Sequence, residues 1–495
     1  MTSTLCWSLL LYSLLISSIF CHDDDYLTFP EGFRIGAAGA SYQIEGGWNA
    51  SDKGHSVWDN FTHREPWRIV DNSNGDIACD SYHKYKEDVK WLKEIGLDHY
   101  RFSLSWSRIL PTGYADKVSE DGIRYYKNLI DELLRNNIEP LVTLYHWDHP
   151  QVIEEQGGWM NDMIVKWFGD YARVVFRELG PKVKIFATIN EPNSFCTEGY
   201  EDGCKAPGKQ LAPTGGYMCG HNVLKAHARA YHIYDREFRK SQNGKIGIVI
   251  PCGGQIAKNP GDNASVETSF QFGCGWMAHP IFSKTGDYPE VMKRNIDRNS
   301  KNEGYPRSRL PKFSPNWIKY IRGTSDYFGL NHYTTFEVSP RTKKPDDVWG
   351  LDSGLEKSVD PSWPRTASAW LRVTPFGFGD TLRQIKDEYQ NPPVYILENG
   401  VSDSGTLTDH QRIGYFYSYL KELITAVKRD GCNVPLYTMW SLLDNFEWNR
   451  GYTERFGILH VDFNSSNRTR TPKLSVDWWK NVLRTRKLQP VTEYW

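Results

Sequence analysis

The alternation of short apolar runs with amphipathic stretches predicts an α/β fold: a single (β/α)8 TIM barrel with long loops at the C-terminal ends of its strands. Three observations point there. Eight apolar runs are separated by helical periodicity, so the strands they form must be parallel, and eight parallel strands can close on themselves. Polar residues collect immediately after the runs, at the end of the barrel where such folds gather their chemistry. The competing open sheet normally places a glycine-rich phosphate loop and a helix after its first strand, and Gly36-Ala37-Ala38-Gly39 is followed by no helical pattern.

The first strand is the small-residue run Phe33 to Ala40. A helix over Asp80 to Ile95 follows from Tyr82, Tyr85, Val89, Leu92 and Ile95 at steps of three and four, and Gly96 stops it. Leu97 to Phe102 is a strand, and Gly122 to Asn136 a helix with Ile123, Tyr126, Ile130 and Leu133 on one face. The third strand, Ile138 to Tyr145, ends in His146-Trp147-Asp148-His149-Pro150, and a helix over Met163 to Leu179 leads to the fourth, which begins at Ile185. That strand ends in Asn190-Glu191-Pro192, where proline removes a backbone donor and pushes Glu191 towards an extended conformation. His221 to Arg239 is helical, and Lys245 to Pro251 and Tyr327 to Leu330 are strands. A helix over Gly379 to Tyr389 precedes the strand from Pro393 to Glu398. A long helix over Asp409 to Arg429 precedes the last strand, Val434 to Met439, and Ser475 to Arg484 closes the chain. Long loops remain at 49–79, 199–219, 252–320 and 334–376.

Composition narrows the function. With 59 basic and 60 acidic side chains there is no basic excess to hold a nucleic acid or a membrane surface. Nineteen Trp allow a large aromatic core, or a site lined with flat faces that suit sugar rings. Residues 1–21, apolar from Ser8 to Phe20, read as a signal peptide, although no Lys or Arg precedes the run; residues 22–495 form one domain. Secretion is expected, into an extracellular space, a gut lumen or a lysosome-like compartment, with no membrane span after the leader. Five sequons, at Asn49, Asn60, Asn263, Asn464 and Asn467, agree with that. Of nine cysteines, Cys196, Cys204 and Cys219 cluster after the fourth strand, and two of them are expected to form a disulfide. Cysteine spacing resembles no zinc site, and the histidines His146 and His149 read as hydrogen-bonded core groups rather than metal ligands, so neither metal nor cofactor is expected. A homodimer is left open.

The strand ends carry Gln43, Arg101, His146, Asn190, Glu191, Asn331, Tyr333 and Glu398, with Trp440 and Glu447 after the last strand. Each alone has a structural explanation; their convergence on one barrel mouth does not. Two carboxylates facing each other across a pocket suit acid/base chemistry at an acetal, where one must carry a proton and the other must attack as the anion. Arg101 and Tyr333 beside Glu398 would favour its anion, whereas Asn190 brings no charge to Glu191, which burial should keep protonated.

Thr188-Ile189-Asn190-Glu191-Pro192, Ile396-Leu397-Glu398-Asn399-Gly400, Tyr100-Arg101-Phe102-Ser103 with Ser105-Trp106-Ser107-Arg108, and Asp444-Asn445-Phe446-Glu447-Trp448 resemble the signature motifs of glycoside hydrolase family 1, which holds β-glucosidases, lactase-like enzymes and myrosinases. The resemblance spans Phe29 to Trp479. It implies a retaining double displacement on a small-molecule β-glycoside, with Glu191 as general acid/base and Glu398 as nucleophile. It further implies that Gln43, His146, Asn190, Glu447 and Trp448 bind sugar hydroxyls over a Trp440 platform, and that Arg101, Asn331 and Tyr333 support the nucleophile and the 2-hydroxyl. An acidic Glu447 would repel a 6-phosphate. His332 and Leu397 stand where the family more usually has an aromatic and a Thr or Val. The expected substrates are β-D-glucosides, with β-galactosides and β-fucosides beside them. Two alternatives are an animal-type myrosinase, which keeps both carboxylates, and a non-catalytic sugar-binding relative. Basic loop residues such as Lys205, Arg322 and Arg365 could meet the sulfate of a myrosinase substrate's aglycone, but each is expected to be a solvated surface charge.

Overall fold

A computed structural model describes residues 27–341 and 352–489; the expected leader lies outside the described residues. Eight strands, β1 (Arg34–Gly39), β2 (His99–Ser103), β3 (Glu139–Tyr145), β4 (Ile185–Asn190), β5 (Lys245–Pro251), β6 (Phe328–Asn331), β7 (Val394–Glu398) and β8 (Leu436–Met439), pair in parallel with their sequence neighbours. β1 also pairs with β8, so the sheet closes into the barrel that the alternation predicts. A helix follows each strand: α1 (Ser81–Ile95), α2 (Glu120–Arg135), α3 (Ile164–Leu179), α4 (Gly215–Glu237), α5 (Pro315–Ile321), α6 (Phe376–Glu388), α7 (His410–Lys428) and α8 (Leu474–Thr485).

Local chemistry sets the helix ends. The Ser119 hydroxyl accepts the Gly122 N–H at 3.0 Å and starts α2, whose buried face includes Ile123, Tyr126, Ile130 and Leu133 as expected. Gly96 ends α1 at φ 89°, a left-handed conformation in which its N–H reaches Leu92 O; a side chain there would strain the backbone. Helix α4 starts at Gly215, six residues before the expected His221, because the bridge Cys196–Cys219 and the Glu201 contact to Gly216 N–H fix its first turn.

Two apolar layers support the site. Leu141, Ile185, Ala187, Val249, Tyr327, Tyr395, Leu397 and Leu436 fill the barrel interior, with the Tyr327 and Tyr395 rings stacked 4.2 Å apart. The larger layer lies between strands and helices. Leu141 and Thr143 are two positions apart on β3 and so face the same side, which carries the interior from apolar floor to polar mouth within two residues.

The expected loops hold more structure than their composition indicates. Loop 49–79 contains the helix Val57–Arg64, and 252–320 contains the helices Asn263–Phe270, Trp276–Phe282 and Glu290–Asn302 before α5. Short strands Gly254–Ala257, Thr335–Pro340 and Leu355–Ser358 form a separate three-stranded sheet beside the barrel mouth. These strands are half-buried and four to six residues long, too short for periodicity to identify.

Leu436 is fully buried in the interior layer. Leu436→Ala is expected to destabilise the protein by about 2–5 kcal/mol, the range for a buried leucine that leaves a cavity. A thermal-unfolding scan checks this; an unmoved midpoint would mean the layer collapses around the gap.

Candidate active site

Strand β7 is buried along its whole length and delivers Glu398 at its last position. The pairing of β7 with β6 shifts register between Ile396 and Glu398, and that of β4 with β5 shifts between Ala187 and Asn190. Both carboxylate-bearing strands thus break their ladder just where the acid appears, which re-aims the side chain towards the mouth. Asn399 locks the next step: its amide donates to His332 O (2.7 Å) and Tyr415 OH (2.9 Å), and its oxygen accepts from Tyr437 OH (2.7 Å). Gly400 follows because a Cβ there would lie 1.8 Å from Trp440 O, in a crossing of backbones only glycine permits.

Each oxygen of Glu398 accepts a hydrogen bond. Arg101 Nη1 donates to Oε1 at 2.8 Å and Tyr333 OH to Oε2 at 2.6 Å. Arg101 is almost completely buried, and a buried guanidinium needs partners for its donors. It also donates to Leu397 O (2.8 Å), Thr143 Oγ1 (3.1 Å) and Asn190 Oδ1 (2.7 Å), so one cation ties β2, β3, β4 and β7 together at the base of the site.

Glu191 sits at the end of β4 in a different setting. The expected extended conformation is not what forms: Glu191 adopts φ 46°, ψ 61°, and Pro192 is the first residue of the helix Pro192–Tyr200. A helix start suits proline, whose missing N–H would be unpaired there anyway, and the left-handed turn at Glu191 lets the strand swing into that helix. Asn331 Nδ2 donates to Glu191 Oε1 at 2.8 Å and Ser194 Oγ to Oε2 at 2.9 Å. Asn331, expected to support Glu398, therefore holds Glu191 instead. Burial is the largest influence and the Glu398 charge the next; together they outweigh these donors and push the Glu191 carboxyl up to about 7.

Both carboxyls line one cavity of about 660 Å³, with Glu447 in the same wall. Burial pushes Glu447 up to about 8 against the pull of the Lys205 cation. Aromatic faces form the rest of the inner wall. Trp440 stacks on His146 at 5.9 Å, and Trp448 on Trp147 at 4.8 Å. His146 Nε2 meets Asn190 Nδ2 at 3.1 Å, and burial holds its imidazole well below the usual value, in the neutral form that can accept from that amide. Gln43 is wholly buried behind the wall: its Nε2 donates to Asn445 Oδ1 and Phe446 O, while Oε1 has no protein partner.

The profile of glycosyl hydrolase family 1 matches residues 25–488. The chain belongs to this family. Myrosinase 1 of Brevicoryne brassicae is 45% identical over 463 residues, covering 93% of this chain and 99% of that protein. The human cytosolic β-glucosidase is 44% identical over 469 residues, covering 94% and 99%. Among solved structures, aphid myrosinase superposes with a TM-score of 0.89 at 45% identity over 93% of this chain and all of that one. A rice β-glucosidase mutant in a covalent complex with glucose gives 0.86 at 37% identity, covering 92% and 99%. This family 1 member is a glycoside hydrolase of the β-glucosidase type, which sets aside the non-catalytic sugar-binding alternative.

Several positions in the glycosidase lay outside what its sequence indicates. Trp147, Ser194 and Thr143 all touch the machinery; Trp147, adjacent to His146 at a strand end, gave the one available signal. Lys205, expected as a solvated charge, lines the cavity, pairs with Glu198 at 2.9 Å and lies over the Trp147 ring. Arg322 and Arg365 are exposed, as expected. The expected disulfide is Cys196–Cys219; a second, Cys252–Cys274, was not foreseen because its cysteines lie 22 residues apart with no cluster around them. Among the sequons, Asn49, Asn263, Asn464 and Asn467 are exposed, and Asn60 is half-buried within the helix Val57–Arg64. No described helix is long and apolar enough to cross a membrane.

Because the Glu398 charge raises Glu191, Glu398→Gln is expected to lower the Glu191 titration midpoint from about 7 towards the ordinary carboxyl range. Difference infrared spectroscopy of the carboxyl band against pH measures it. An unmoved midpoint would mean that the two groups do not sense each other.

Proposed function

We propose that this chain is a secreted retaining β-glycosidase that releases terminal β-D-glucose, with tolerance for β-galactosides and β-fucosides, through a covalent glycosyl-enzyme. The observation that carries the reading is the pair of unlike carboxyls in one cavity: Glu398 held by Arg101 and Tyr333, and Glu191 raised to about 7 by burial and the Glu398 charge.

In the first step Glu191 gives its proton to the glycosidic oxygen as the C1–O bond breaks, and a Glu398 oxygen forms the new bond to C1. Arg101 and Tyr333 keep that carboxylate oriented, and Arg101 balances its charge until it is spent in the ester. Glu191, now ionised, takes a proton from water; the hydroxide oxygen attacks C1 and Glu398 leaves as the carboxylate. A double displacement of this type requires the two carboxyls to stand roughly 5–5.5 Å apart. Trp440 supplies the flat face beneath the sugar, and His146, Asn190, Glu447 and Trp448, which line the cavity, supply the hydrogen bonds that read its hydroxyls. Secretion is supported by the apolar leader and by two disulfides, which persist in oxidising compartments; the four exposed sequons are the proposed glycan sites.

A second reading, action on thioglucosides, is favoured by the 45% identity to a protein named Myrosinase 1. A panel of aryl β-glucoside, β-galactoside, β-fucoside and a glucosinolate, with proton NMR of the first anomer released, separates the readings. Retention on O-glucosides with silence on the thioglucoside supports the first; preferential thioglucoside turnover supports the second; inversion overturns both.

Two quantitative outcomes are expected on an aryl β-glucoside. Glu398→Gln should lose at least about 10³-fold in turnover, as removal of a covalent nucleophile does; a variant within tenfold of the parent would overturn the assignment. Turnover of a glucoside with a poor leaving group should fall as pH rises through about 7, because Glu191 then loses the proton it must donate. Glu191→Gln should remove that alkaline limb and cost about 10²–10⁴-fold, least with a dinitrophenyl leaving group.

A further inference from the structure

Beyond the two carboxyls the cavity opens towards the small sheet, and its outer wall has a composition of its own. Phe336 and Trp370 line it, and Trp370, about half exposed, meets the Tyr333 ring edge-on at 5.6 Å. Among the described residues, three cations reach this cavity. Lys205 is paired with Glu198 and Arg450 with Glu454, so each is neutralised where it stands. Lys357 is different. Its ammonium lies 5.6 Å from the centre of the Phe336 ring, and no carboxylate among the described residues pairs with it.

Strand alternation explains why. In the antiparallel pairing Val338 stands opposite Lys357, Glu337 opposite Ser358 and Ser339 opposite Glu356. Phe336, Val338 and Lys357 therefore share one face, and Glu337, Glu356 and Ser358 the other. On that other face Ser339 Oγ donates to Glu356, and Ser358 Oγ to Glu337. Among the described residues, the pleat thus turns both neighbouring carboxylates away from the cavity and leaves the Lys357 charge uncompensated above a flat apolar slot.

We propose that Lys357 is a specificity-determining residue that selects a flat aglycone carrying a negative charge, such as a carboxylated or sulfated aryl group, with Phe336 and Trp370 holding the ring. The inference rests on the proposed glycosidase reading and names the leaving half of its substrate.

The test compares 4-carboxyphenyl β-D-glucoside with its methyl ester in the full-length protein. The kcat/KM ratio of anion to ester is taken for each enzyme form, so the difference in leaving-group ability cancels between variants. In Lys357→Met the ratio is expected to fall roughly fivefold, the scale of a partly solvated ion pair, while Lys357→Arg retains it. In the parent enzyme roughly 1 M salt is expected to lower the ratio in the same direction by screening the charge. A ratio within twofold of the parent in Lys357→Met, or one indifferent to salt in the parent, overturns the inference while leaving the glycosidase reading intact. Absence of turnover on both glucosides in the parent overturns the reading beneath it and the inference with it.

Discussion

A single buried cation organises this molecule. Arg101 enters the barrel mouth from β2 and is fixed by oxygen atoms from β3, β4 and β7, among them Glu398 and Asn190. Burying a guanidinium without partners would cost several kcal/mol, so the strand ends must present acceptors in the right places or the barrel cannot close around it. Two of these acceptors, Glu398 and Asn190, are also groups that the proposed chemistry uses. Stability and reactivity are therefore coupled through one side chain: the contact that neutralises Arg101 is also the one that orients Glu398, and Asn190, which accepts from Arg101, also meets His146 and Asn331.

The proposed division of labour between the two acids follows from that arrangement. Glu398 lies against the cation, and Glu191 lies one layer out, where it meets only neutral donors. At Glu191, burial and the nearby Glu398 charge outweigh its neutral donors, with no formal positive charge in hydrogen-bonding contact. A low-dielectric cavity amplifies that difference, so two chemically identical side chains are given unlike settings by their neighbours.

Much of this was legible in the sequence. Eight apolar runs and their intervening periodicities gave the barrel, and the polar residues at the run ends gave most of the mouth, because strand ends in a closed parallel sheet must converge. The unlike character of Glu191 and Glu398 was also readable, from Arg101 and Tyr333 on one side and Asn190 on the other. What was not legible depends on backbone geometry that no pattern encodes. Glu191 was expected extended and is left-handed, since proline restricts its predecessor but the following helix decides the outcome. Asn331 shares a rung with Glu398, yet its amide turns to Glu191 across the register shift. Lys205 sits on a loop whose course is set by a disulfide and by Glu198, so its place over Trp147 left no periodic trace. Cys252–Cys274 joins the end of β5 to the helices after it, a closure that spacing alone does not announce.

The outer wall obeys a different rule from the barrel. Strands Thr335–Pro340 and Leu355–Ser358 are held to each other by four rungs and belong to loops, so nothing in the interior layer fixes their phase. A strand slipped by one position exposes its opposite face. Insertion or deletion of a single residue before Leu355 would rotate Lys357 outward and present Glu356 or Ser358 to the opening, reversing or abolishing the local field without touching an atom near the reacting bond. The architecture in this way separates the part of the enzyme that must stay constant from a part whose polarity evolution can flip in one step.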